Sequence, residues 1–280
     1  MPIPIPDAVQ DAASLAAGKA TQVRSLPRYL LLSALAGAYV GVAVVLLVSV
    51  SAPLAAAGAP TTRLVQAAVF GIALTLVVFA GAELFTGNVM VMLQGLFASS
   101  VRLRDLTSVW MASLIGNLAG SVAFAALVHA GGTLGAGAGA PGEALVASII
   151  DAKNAATGPE LFWRSVLCNL LVCLALWMAA RARGDAAKLI VLWWGLLAFI
   201  ASGFEHSVAN MTIFSLGALA GSAAWLDLLR NLAWTVPGNV VGGGLLVGLA
   251  YAWLAAPTAP VTAPAGEPSP TLAAVGDQPA

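Results

Sequence analysis

The chain has 280 residues, 60% of them apolar and only 9% charged; its twelve basic and twelve acidic side chains leave no formal net charge. No basic patch supports nucleic-acid binding, and two cysteines without a His/Asp/Glu cluster do not make a metal site. With a mean hydropathy of +0.93 and apolar runs of membrane-crossing length, an ordinary soluble domain is excluded and an all-α membrane protein is expected.

Residues 1–28, which include "MPIPIPDAVQDAASLAAGKATQVRS", lack the basic start and apolar core of a secretory signal. They read as a retained cytoplasmic segment with a short amphipathic helix from about Asp7 to Lys19. Six spans follow within residues 29–254. The first is Tyr29–Ala52, the second Leu64–Ala98 with an interruption, and the third Thr107–Ala130. The loop "AGGTLGAGAGAPGEA" reads as a flexible connector. The fourth span is Leu161–Ala180, the fifth Leu189–Leu219 with a second interruption, and the sixth Leu226–Leu254. The Pro/Ala-rich tail, 255–280, has the composition of a disordered segment. Cys168 and Cys173 lie on different faces of one expected helix, so they read as small packing residues and not as a disulfide.

Lys19, Arg24, Arg28, Arg102, Arg104, Arg181, Arg183 and Lys188 fall on one side of these spans, and Arg63, Lys153, Arg164 and Arg230 on the other. The asymmetry places both termini in the cytoplasm. Trp110, Trp163, Trp193, Trp194, Trp234 and Trp253 lie near span ends, as an aromatic belt does.

The interruptions read "GAELFTGNVM" from Gly81 and "GFEHSVANMT" from Gly203, and both contain Gly-x-Glu-x-x-x-x-Asn at a separation of 122 residues. "GNLAG" at Gly116 and "GNVVG" at Gly238 repeat the same offset. Two three-span halves, about 29–130 and 161–254, therefore insert with opposite orientation, each with one broken helix. Breaks at bilayer depth persist only against protein or a watery path, so these should line a central pathway. Half-helix N-termini favour an anion there. Glu83 and Glu205 are expected to bond loop backbone N–H groups or the side chains of Asn88 and Asn210. His206, in a mid-membrane break, is the candidate pathway residue, whereas His129 reads as interfacial.

Two other classes compete with this reading. An aquaporin-type neutral-solute pore shares this architecture but usually carries paired Asn-Pro-Ala loops, which are absent. A membrane enzyme using Glu205 and His206 as an acid–base pair lacks a nucleophile, metal cluster or dinucleotide turn nearby, and "GNVVGGG" suits close helix packing.

The stretches "ELFTGN", "GNLAGS", "CNLLVCLALWMA", "WWGLLAFIASGFEHSVANMT" and "PGNVVGGGLLVGLAYAW" resemble the formate/nitrite transporter family, in order and spacing, from about Pro27 to Trp253. The fourth-to-fifth-span region is most similar to the family's bacterial nitrite-channel branch. The resemblance implies an aquaporin-like six-span protomer with its own pore, assembled as a homopentamer in the bacterial cytoplasmic membrane. It implies passage of nitrite, with formate or hydrosulfide as alternatives, and no cofactor. The family's central histidine falls on His206, its break threonine on Thr86, its asparagine on Asn169 and its vestibule lysine on Lys153. A sixth-span asparagine falls on Asn239, and the narrow apolar points fall on Leu74, Phe85 and Phe199, with Phe70 and Leu84 beside them. In the expected mechanism Lys153 and the half-helix N-termini draw the anion in, Thr86 and Asn169 orient it, and His206 exchanges a proton.

Overall fold

The computed structural model describes residues 1–135 and 140–256, and what it describes is helical, with no strand. The centre of the connector loop and most of the tail, residues 257–280, lie outside the described residues.

Helix α1, Ile5–Gln22, precedes α2, Leu26–Ala56, which runs for 31 residues. Pro27 in the first turn of α2 forfeits only an N–H that would have no helical partner. Then follow α3, Thr62–Val69, α4, Ile72–Phe79, and α5, Phe85–Phe97. The expected second span is thus divided twice. At the first division the Trp193 indole donates to the Ala68 carbonyl at 2.7 Å, meeting a group that the helix end leaves free.

Helix α6, Leu103–Ala130, crosses to the opposite face, where α7, Pro141–Ala155, lies. Helix α8, Gly158–Arg181, opens on a capping box: the Thr157 hydroxyl accepts from Glu160 N–H, and the Glu160 carboxylate accepts from Thr157 N–H at 2.8 Å. Helices α9, Asp185–Ala201, and α10, Ser207–Ala220, are followed by α11, Trp225–Asn239, a π-helical stretch Val240–Leu249, and α12, Ala250–Ala255.

Five of these helical stretches are long and apolar enough to cross a bilayer: Leu26–Ala56, Thr62–Phe79, Leu103–Ala130, Gly158–Arg181 and Trp225–Ala255. The expected fifth span is not among them because it is split into pieces of 17 and 14 residues. Each piece falls short of the roughly 20 residues a hydrocarbon core requires.

The two breaks, between α4 and α5 and between α9 and α10, share much of their backbone bonding. Ala82 N–H donates to the Val77 carbonyl at 3.0 Å, and Phe204 N–H to the Phe199 carbonyl at 3.1 Å. Glu83 N–H reaches across to the Leu32 carbonyl, and Glu205 N–H to that of Arg164. Gly81 and Gly203 reverse the chain at φ +79° and +72°, a region costly to a residue with a Cβ. Gly203→Ala should therefore lower stability by about 1–2 kcal/mol, read as a depressed thermal unfolding midpoint in detergent.

Candidate functional site

The site is built where the two breaks meet. Leu84 and His206 occupy equivalent N-cap positions, both extended, at φ −93°, ψ 124° and φ −104°, ψ 115°. Only His206 carries a capping side chain: its Nδ1 accepts from Ala209 N–H at 3.1 Å. With Nδ1 acting as acceptor, the neutral ring carries its hydrogen on Nε2, which faces the Thr86 hydroxyl at 3.1 Å. That bond joins α10 to α5 across the meeting point. Thr86 is fully buried and His206 nearly so.

Two asparagines hold the breaks in place. Asn117 Oδ1 accepts from Phe85 N–H at 2.9 Å, while its Nδ2 donates to the carbonyls of Ser33 at 2.7 Å and Glu83 at 2.9 Å. Asn239 does the same in the other half: Oδ1 accepts from Ser207 N–H at 2.9 Å, and Nδ2 donates to Ser165 at 2.8 Å and Glu205 at 3.1 Å. Asn239, expected on the pathway, is thus placed behind its loop with both amide ends engaged. The loop N–H groups expected to meet Glu83 and Glu205 meet these amides instead, because each amide can donate and accept at once.

The carboxylates find other partners. Glu83 accepts from Lys19 at 2.7 Å on both oxygens, and from Asn88 and the Tyr29 hydroxyl at 3.0 Å each. Glu205 accepts from Lys153 and Asn210, both at 2.7 Å. Asn210 continues to Asn231 Oδ1 at 2.8 Å. The bonds to Asn88 and Asn210 are among those the sequence suggested. Lys19 and Tyr29 were missed, and α1 with its lysine stands to the first half as α7 with Lys153 stands to the second. Lys153 is 13% exposed at its side chain and committed to a carboxylate, so it does not present an unpaired charge.

Asn169 donates to the carbonyls of Thr86 at 3.2 Å and Asn239 at 2.7 Å, and the Cys173 thiol also reaches Thr86 O at 3.3 Å. These bonds fix the Thr86 backbone and link the Asn239 bracket to the first break.

Two spaces adjoin His206, and their lining is mostly apolar. A cell of about 10 Å³, room for about one water, is bounded by Phe70, Leu74, Leu84, Leu196, Phe199 and His206. Leu74 and Leu196 are equivalent positions of the two halves, as are Leu84 and His206. Phe70 meets Phe199 edge to face with ring centroids 5.7 Å apart, and the His206 imidazole stacks on Phe199 at 5.9 Å. Next to it a space of about 50 Å³ is lined by Phe199, His206, Asn210 and Lys153. Phe85, expected at a constriction, is buried next to Leu84 in the sequence, with its N–H bonded to Asn117, and does not bound these two spaces. On the face carrying α1 lies a cavity of about 720 Å³, into which Leu84, Glu83 and Lys19 look. Among the described residues no group of three or more His, Cys, Asp or Glu side chains could hold a metal ion, and both cysteines are free thiols.

The arrangement is two small, mostly apolar spaces that share Phe70, Phe199 and His206, with the His206–Thr86 hydrogen bond and the Lys153–Glu205 ion pair adjoining them. The sequence model of the family described as "Formate/nitrite transporter" matches residues 6–253. The nitrite transporter NirC of Escherichia coli (strain K12) is 44% identical over 232 residues, covering 81% of this chain and 83% of the relative. The formate channel BtFdhC of Bacillus thuringiensis is 34% identical, with 81% and 87% covered. Among solved structures, an FNT family ion channel aligns with a TM-score of 0.82 at 40% identity, covering 90% of this chain and 99% of that one. A pentameric formate channel with formate bound aligns at 0.68 and 27% identity, with 83% and 98% covered. With a family match along nearly its whole length and such identities to curated relatives, the chain belongs to the formate/nitrite transporter family.

Proposed function

We propose that this protein is a membrane channel or transporter for a small monovalent anion, nitrite in the first place, and not an enzyme. The supporting observation is the His206 Nε2 to Thr86 Oγ1 contact of 3.1 Å where the two breaks meet, with His206 also bounding a small apolar cell. The 44% identity to a nitrite transporter favours nitrite. Relatives named for formate keep formate as a second reading.

In this reading α2 to α12 form six spans as an aquaporin-like inverted repeat, five copies assemble in the bacterial inner membrane, and both termini face the cytoplasm. A bare anion squeezed past Phe70, Phe199 and Leu74 would forfeit hydration that hydrocarbon cannot replace. A neutral acid has far less to lose. His206 offers the arriving anion an N–H without net charge, in place of Thr86. Adding a second proton to the ring at Nδ1 would set that new donor against Ala209 N–H. Charging the ring therefore requires it to swing off the α10 N-terminus, and proton exchange and ring motion proceed together. Asn169 and Thr86 keep the docking geometry, and the Lys153–Glu205 and Lys19–Glu83 pairs flank it.

His206→Asn and His206→Ala test the idea in proteoliposomes loaded with nitrite and formate in competition. Asparagine still caps α10 but does not titrate, so His206→Asn should keep the fold and lose the pH dependence of nitrite flux between about pH 5 and 8. His206→Ala should lose that dependence as well as about 1 kcal/mol of stability, the cost of the missing cap. Wild-type flux, pH profile and selectivity in both variants would end the proton-exchange reading.

A further inference from the structure

The cavity of about 720 Å³ on the α1 face contains a polar station that the reading above does not use. Gly87, Met90, Val91 and Gln94 line it from α5, at spacings that put them on one helix face. Trp177 lines it from α8. Gln94 is 0% and Trp177 1% exposed. Yet neither the Gln94 amide nitrogen, nor its oxygen, nor the Trp177 indole nitrogen has a hydrogen-bond partner among the described residues.

Buried polar atoms of this kind are nearly always matched by something. The indole is also held in place: Tyr251 packs against it with ring centroids 4.6 Å apart, and the Arg181 guanidinium sits 5.8 Å from the ring centre. The other polar side chains of the wall are occupied, charged or, in Gln22 of α1, exposed. Lys19 and Glu83 pair with each other, Asn88 donates to Glu83 and Tyr29, and Asp11 and Lys188 are charged groups on the same lining.

We infer that Gln94 and Trp177 form a binding station for the protonated, neutral form of a small oxyacid. An amide and an acid of the type H–O–X=O are complementary. The acid O–H donates to Gln94 Oε1 while its second oxygen accepts from Gln94 Nε2–H, and the Trp177 indole N–H is a further unpartnered donor on the same lining. The corresponding anion has no hydrogen to give, and its oxygen would face the amide oxygen unmatched. The station thus selects the neutral species on the α1 side of the central cell, where Leu84 also looks into the cavity. The assignment rests on the proposed passage of a small acid anion. It adds a residue pair that recognises which protonation state has arrived.

The test uses the full chain in nanodiscs, with its eight tryptophans replaced by 5-fluorotryptophan and the Trp177 resonance identified by Trp177→Phe. Sodium nitrite is titrated at acidic and at mildly alkaline pH. Sodium nitrate, whose acid is too strong to exist protonated, is the anion control. The Trp177 signal should shift saturably with nitrite, with the half-saturating total concentration rising about tenfold per pH unit as the neutral acid becomes scarce. Nitrate should leave it unmoved. Gln94→Leu should weaken the response about fivefold or more, the worth of a lost buried hydrogen bond. It should also raise the half-saturating nitrite concentration for flux at acidic pH while leaving the alkaline value alone. An equal shift with nitrate, a pH-independent response, or no response from a protein that does carry nitrite each overturns the station and leaves the proposed substrate standing. A wild-type protein that carries neither nitrite nor formate overturns the substrate itself.

Discussion

Asn117→Leu should destabilise the protein by about 3–5 kcal/mol, and Asn239→Leu by a similar amount, because each change strands several buried backbone groups at about 1–3 kcal/mol apiece. Phe85 N–H and Glu83 C=O lose their partner in the first case, and Ser207 N–H and Glu205 C=O in the second. Lipid cannot replace these bonds, and neighbouring helices leave no room for water at positions that are fully buried. Thermal unfolding in detergent measures the loss. The two variants should differ in flux: Asn239→Leu loosens the break that holds His206, whereas Asn117→Leu loosens the one that holds Leu84. Aspartate should not rescue either position, since it would turn an acceptor toward two carbonyls. Unfolding midpoints within a degree of wild type in both leucine variants would show that the asparagines do not bracket the breaks.

Glu83→Ala is expected to be comparably damaging, at about 3–5 kcal/mol, because it leaves the Lys19 ammonium in the protein without its counter-charge. The pair is close, 2.7 Å, with the two side chains only 11% and 12% exposed. Removing both charges is a different experiment. Lys19→Met with Glu83→Leu should recover most of the loss, since an apolar pair of similar bulk needs no compensation. The recovery should be incomplete, because Tyr29 and Asn88 also donate to Glu83 and would be left facing apolar atoms. A double-mutant cycle on unfolding midpoints reads the coupling. Strict additivity of the two single changes would mean that the contact carries no interaction energy.

The breaks were legible because their requirements are written in single letters. A left-handed reversal favours glycine, and Gly81 and Gly203 recur with a following Glu and Asn at one fixed spacing. The lysines were not legible as a pair. Lys19 and Lys153 are 134 positions apart, the cross-break contacts of Leu32 and Arg164 are 132 apart, and the breaks themselves are 122 apart. Connections of unequal length between equivalent helices shift the register, so a search at one offset finds the breaks and loses α1 against α7. Asn239 was visible as a repeated letter but not in its role, since an amide behind a loop and an amide facing a pore look the same in sequence. Gln94 and Trp177 carried no signal at all, being single polar groups within apolar helices whose shared cavity exists only once α5 and α8 are packed.

The unlike caps at equivalent positions, leucine at 84 and histidine at 206, bear on turnover. An imidazole at both positions would bring two hydrogen-bonding rings to a space scarcely larger than a water molecule. As it stands, one break offers that cell a polar cap and the other a hydrocarbon one. In the proposed passage a solute would therefore be gripped from one side alone, which favours quick release.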